Sequence, residues 1–137
     1  MMTPRIIAIL LLSTVQLSCC SQSFSYPVIV DVTKIEVTAS SSNQVINDIS
    51  DHSRINQVIR FIDERRSRWC SPRFVSLPDA PVTLFLQIRG NGRGKIGFGD
   101  GFFVAEFADG RYKMDISDNE VHDFLSLIGA NEEWLNK

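Results

Sequence analysis

Residues able to do metal or nucleophile chemistry are scarce in this chain. Its 137 residues include two histidines, His52 and His122, and three cysteines, Cys19, Cys20 and Cys70. Neither histidine stands in H-E-x-x-H or beside a cysteine at zinc-ligand spacing. The nucleophile pattern G-x-S-x-G, the phosphate loop G-x-x-x-x-G-K-S/T and Asp-rich calcium loops are all missing. Asp63 and Glu64 are adjacent on a predicted helix and point different ways, so they are no acid–base pair. Positive charge is not in excess: 14 Lys and Arg stand against 16 Asp and Glu, for a net −2. A protein that grips nucleic-acid phosphates needs the opposite balance. The apolar run Ile6–Leu12 falls well short of the about 20 residues that a membrane-spanning helix requires. Internal repeats and low-complexity segments are absent. Together these absences set the expectation of no enzymatic centre, no metal, no cofactor, no nucleotide and no nucleic acid.

What is present starts at the N-terminus. One cation, Arg5, precedes the apolar run, and small residues come after it. This is the three-part layout of a secretory signal peptide; a buried core helix is the rival reading. Leu17-Ser18-Cys19-Cys20 resembles the lipobox of bacterial lipoproteins. The match puts Leu17 first, Ser18 second and Cys20 at the lipid-accepting position. It departs from the pattern at Cys19, where Gly or Ala is usual. The resemblance covers residues 1–20 and implies a lipid on Cys20 and anchorage to a membrane of the cell envelope. In a host with two membranes, Ser21 implies the outer membrane, facing the periplasm. Ordinary cleavage without lipid, giving a periplasmic or secreted protein, stays open. Lipidation would leave Cys70 as the sole thiol, most comfortable if buried. Without it, Cys19 or Cys20 could bridge to Cys70.

Residues 21–27 then read as a tether and residues 28–137 as one domain, long enough to bury a core without metal or disulfide. Loss of Arg5 leaves 13 cations against 16 anions, a net of −3. The charges are unevenly placed. Arg60, Arg65, Arg66, Arg68 and Arg73 crowd one stretch; Asp115, Asp118, Glu120, Asp123, Glu132 and Glu133 crowd another. Each cluster reads as a solvated face or a docking surface.

Val28 to Ala39 alternates apolar and polar residues and predicts a strand. Residues 40–50 read as a loop with a short extended piece at Val45-Ile46. Asp51 is placed to cap a helix over 52–66, whose stripe is Ile55, Val58, Ile59 and Ile62. Val82–Ile88, Ile96–Phe98, Phe102–Phe107 and Arg111–Ile116 predict strands, with hairpin turns at Asn91-Gly92 and Asp109-Gly110. Ser117 and Glu120 form a capping box before the stripe Val121, Phe124, Leu125, Ile128, and Gly129 stops that helix. The expected fold is an α+β two-layer sandwich: a mainly antiparallel sheet of about four strands, two helices on one face, in the order β-α-β-β-β-α.

Six of the eight glycines fall between Gly90 and Gly101, and Gly92, Gly94 and Gly97 spell G-x-G-x-x-G. A dinucleotide loop with that spelling opens a helix, and β-rich sequence comes next here instead. The glycines therefore read as turn, bulge and sheet-bend residues. The same hairpin carries Arg89, Arg93 and Lys95 beside Phe102 and Phe103, which makes it the candidate binding edge for an acidic protein or envelope partner. The expectation is a non-enzymatic, exported binding protein. Its alternatives are a soluble inhibitor-type or immunity-type protein, a structural envelope lipoprotein, and a small hydrolase with a dispersed site.

Overall fold

The apolar alternation and the two helical stripes do build a sheet covered by helices, but the sheet is larger than the pattern predicts. The computed structural model describes residues 29–70, 76–107 and 110–136. The signal, the lipobox with Cys20 and the tether fall outside the described residues. The strands are β1 (Val32–Ala39), β2 (Val45–Ile49), β3 (Val82–Ile88), β4 (Gly92–Gly99), β5 (Phe102–Phe107) and β6 (Gly110–Asp115). The helices are α1 (His52–Asp63) and α2 (Asp118–Ile128). The six strands lie in the order β2-β1-β3-β4-β5-β6, and each neighbouring pair is antiparallel.

About four strands in the order β-α-β-β-β-α are therefore corrected to six in the order β-β-α-β-β-β-β-α. β2 is the strand added to those the pattern names, and β4 is longer than the predicted Ile96–Phe98 piece. β2 carries Asn47 and Asp48 and shows no alternation, yet it pairs along β1 from Ile35↔Ile49 to Thr38↔Val45. Its polar residue is used: the Asn47 amide donates to the Ile128 carbonyl at the end of α2, 2.9 Å away. β4 begins at Gly92, well before Ile96, because β3 supplies a ready ladder from Ile88↔Gly92 onward. Glycine weakens a strand's own propensity but does not prevent pairing. The turns shift as well. Gly90 and Asn91 take the positive φ values, +84° and +68°, and Gly92 is already in β4. Gly110 pairs with Phe107 inside the ladder, and the predicted turn at Asp109-Gly110 falls partly on residues 108–109, outside the described residues.

The helices keep their predicted signals. The Asp51 carboxylate accepts the Arg54 N–H at 3.0 Å. α1 stops at Asp63, short of residue 66, and a tight turn at Arg66–Arg68 delivers Trp69 into the core, 4% exposed. Both bonds of the Ser117–Glu120 capping box form, and Gly129 closes α2 in the left-handed conformation.

Strand alternation sends Ile35, Val37, Leu84, Leu86, Phe98 and Met114 to the helix side, each at most 2% exposed. α1 meets them with Ile55, Val58, Phe61 and Ile62; α2 brings Val121, Phe124, Leu125 and Ile128. Phe61, Phe98, Phe103 and Phe124 form one aromatic cluster with ring centroids 4.8–6.2 Å apart. Burial of each such ring contributes about 1.5–3 kcal/mol.

The two charge clusters of the sequence meet at the helix junction. Glu120 accepts from Arg65 and, at 2.8 Å, from Arg68, while its carboxylate also holds the Ser117 N–H at 3.0 Å. The Arg65 guanidinium lies over the Phe61 ring, 3.6 Å from the centroid. Part of the expected docking clusters is thus an internal clamp between α1 and α2.

Candidate functional site

Antiparallel partners share a face, so the sheet register decides where each candidate side chain stands. Gln87↔Arg93 and Phe85↔Lys95 oppose one another across β3 and β4. Their neighbours Leu86 and Leu84 point to the helices, so Arg93, Lys95, Phe85 and Gln87 stand on the open face. Glu36 extends that row opposite Phe85 on β1. Phe85 is 39% exposed in the middle of this face. Neither Arg93 nor Lys95 has an ion pair among the described residues, whereas Lys34 is engaged by Asp48 at 3.6 Å.

The rest of the open face is partly covered. Residues 76–81 cross it, and a cleft of about 190 Å³ remains beneath them, lined by Leu77, Thr83, Lys95, Glu106 and Arg111. Ser40 and Thr83 share a hydroxyl hydrogen bond of 2.7 Å at its edge. This crossing explains Gly97. A Cβ there would meet Ala80 Cβ and Val104 Cγ2, both at 2.6 Å. At Gly99 a Cβ would run into the Phe102 ring. The glycines of the G-x-G-x-x-G spelling lie within β4, which leads to β5 and not to a helix.

Among the predicted binding residues, the structure thus brings Arg93, Lys95 and Phe102 to one face and separates the other two. Phe102 is half-buried over Gly99, with Lys113 Nζ 5.9 Å from its ring centroid. Phe103 is fully buried against Phe98 and Phe124 and offers no surface to a partner. The reason is the register: Phe103 opposes Met114 and Phe98 on the helix side, one residue out of phase with Phe102.

Arg89 leaves the open face altogether. It lines a hollow of about 550 Å³ at the start of β1 and the first turns of α1. Ile29, Val32, Ile55 and Ile59 form its apolar wall; Asp31, Ser50, His52 and Asn56 supply polar groups. The Arg89 N–H donates to the Asp31 carbonyl at 2.9 Å, and Asp31 has a left-handed backbone, φ +58°. No local pattern announces this place, since its members are spread from residue 29 to residue 89. Phe85, by contrast, is legible as the odd residue of an alternating strand.

The two histidines lie in separate hollows. His52 is in the one just described, while His122 pairs with Glu132 at 3.1 Å beside Asp118 and Leu135. No group of three or more His, Cys, Asp or Glu among the described residues could hold a metal ion. Cys70 is not the lone buried thiol expected of a lipidated chain. It is half-buried and disulfide-bonded, and its backbone pairs in both directions with Lys113 at 2.8 Å, covering the outer edge of β6. The other cysteines, Cys19 and Cys20, lie outside the described residues.

Glu120 is the strongest electrostatic perturbation. Burial alone would raise its pKa, but the bonds from Arg65, the Ser117 backbone, Arg68 and the Ser117 hydroxyl outweigh that and lower it to about 2. A carboxylate so fully engaged is a structural anion rather than a general base. Among the described residues no helix is long and apolar enough to cross a membrane. No protein-family model, curated protein or solved structure matches the chain.

Proposed function

We propose that this chain is a small exported, non-enzymatic binding protein of the bacterial cell envelope. A lipid on Cys20 holds it at the membrane, and the open face of its sheet docks an acidic protein or envelope partner. The observation that carries the export half is the run Arg5, Ile6–Leu12, Leu17-Ser18-Cys19-Cys20. Support for the docking half is Phe85, exposed at the centre of a face where Arg93 and Lys95 have no ion pairs among the described residues. An aromatic anchor beside free cations fits an interface with an acidic surface.

A second reading, a soluble periplasmic or secreted protein, is favoured by the disulfide of Cys70. A Cys20 sulfur bonded to lipid cannot also be in a disulfide, and cleavage before Cys20 removes Cys19. The two readings are therefore chemically exclusive for a bridge within one chain. The intact mass of the mature protein, measured with and without reductant, separates them. A mass of residues 20–137 plus lipid, with Cys70 titrating as a free thiol, supports the anchored form. An unlipidated mass with no free thiol supports the soluble form.

A further inference from the structure

We propose that the hollow between the start of β1 and the first turns of α1 binds a free α-amino acid with an apolar side chain. Two opposite charges stand on its rim without joining. Arg89 and Asp31 are linked through their backbones by a 2.9 Å hydrogen bond, yet their side chains form no ion pair with each other or with any described residue. Left apart, they offer a cation to a carboxylate and an anion to an ammonium group, each through charge-assisted hydrogen bonds. Ser50, His52 and Asn56 add further polar groups around the same opening.

The wall between these charges is apolar. Val32, Ile55 and Ile59 are the margin of the core, at most 9% exposed, and Ile29 packs against them. The apolar surface of the hollow that a ligand's side chain can cover comes from half-buried Ile29 and from Val30, 56% exposed. The volume of about 550 Å³ lies within the usual range for small-molecule sites. A plain carboxylate would leave Asp31 facing its own charge type, and a plain amine would do the same to Arg89. A zwitterion presents an opposite charge to each. Asp31 also sits at φ +58°, a left-handed conformation that Asp and Asn tolerate. The site shares no residue with the open sheet face, so amino-acid binding and partner docking can each fail without the other.

Calorimetric titration of the mature protein tests this, using leucine, methionine and phenylalanine, then 4-methylpentanoate and 3-methylbutylamine as leucine lacking one charge each. The expected result is saturable binding of at least one amino acid with a Kd on the order of 1 mM or tighter, and binding of each one-charge analogue weaker by about tenfold or more. Asp31→Asn keeps a residue that tolerates positive φ, and Arg89→Gln keeps the backbone N–H. Each should weaken amino-acid binding by about tenfold or more with an unchanged melting temperature. Lack of saturable binding by all three amino acids overturns the proposal. So does equal binding of a one-charge analogue, which would make the hollow a simple ion site, or wild-type affinity in both variants.

Discussion

Glu120 shows how much one side chain can hold. It caps α2, accepts from two arginines of the α1 end and carries a pKa lowered to about 2. Its folded pKa lies below the unfolded value, so its stabilisation is complete above the ordinary carboxylate range. It is lost as pH falls from there towards about 2. Glu120→Gln should cost about 1–3 kcal/mol at neutral pH. It should also flatten the loss of stability between neutral pH and about pH 3, because the wild type alone gives up this contribution on acidification. Urea melts of both proteins at the two pH values read this directly. Gly97 illustrates the opposite case, a residue chosen for what it lacks. Gly97→Ala drives a methyl into Ala80 and Val104 at 2.6 Å and should cost about 1–3 kcal/mol by overpacking. A melting temperature unchanged by this substitution would mean that residues 76–81 do not lie on β4.

The elements differ in how openly they declare themselves. α1 and α2 are readable in the sequence because cap, stripe and stop agree: Asp51 and Ile55–Ile62 in one, Ser117, Glu120, Phe124 and Gly129 in the other. Agreement of local signals leaves few competing conformations. β2 and the first half of β4 are not readable, because their stability comes from the neighbouring strand and not from their own side chains. Side-chain clasps from two elements hold the end of α2, Asn47 from β2 and Arg54 from α1. Asn47 donates to the Ile128 carbonyl at 2.9 Å, and Arg54 donates to the Ser126 and Leu127 carbonyls at 3.2 and 3.0 Å. These bonds satisfy the last carbonyls of α2, which no helical N–H can reach. Asn47→Ala should cost about 1 kcal/mol and speed amide exchange in β2 and the last turn of α2 ahead of the rest of the sheet. Uniform acceleration across all strands would show that the clasp is not local.

At the scale of the whole molecule, the sheet has one face committed to the core and one divided between a crossing segment and solvent. Arg93→Glu with Lys95→Glu reverses two open-face charges that have no ion pairs among the described residues. The fold should survive, since exposed substitutions of this kind shift stability by about 0.5 kcal/mol or less. Binding to an envelope partner should fall by about tenfold or more, as expected when an interface loses its charge complementarity. Phe85→Ser should reduce binding as well, through loss of the apolar anchor. Quantitative capture of one stoichiometric envelope partner by wild type and variants measures both. Equal capture by all three would remove the open face as the docking surface.

Local patterns in the sequence are enough for the class of fold, the caps of both helices, the identity of most core residues and the exposure of Phe85. Each depends on spacing along the chain, at about 2 residues in strands or about 3.6 in helices, and spacing is preserved when the chain is written as letters. The split of one basic hairpin between two parts of the surface is decided only in three dimensions. Arg93 and Lys95 go to the open face, Arg89 to the hollow beside Asp31, and Phe103 to the core. The cause is that a strand reverses its face at every residue, while a turn rotates the strand beyond it. Neighbours in sequence are therefore separated, and Asp31, His52 and Arg89 are brought to one opening.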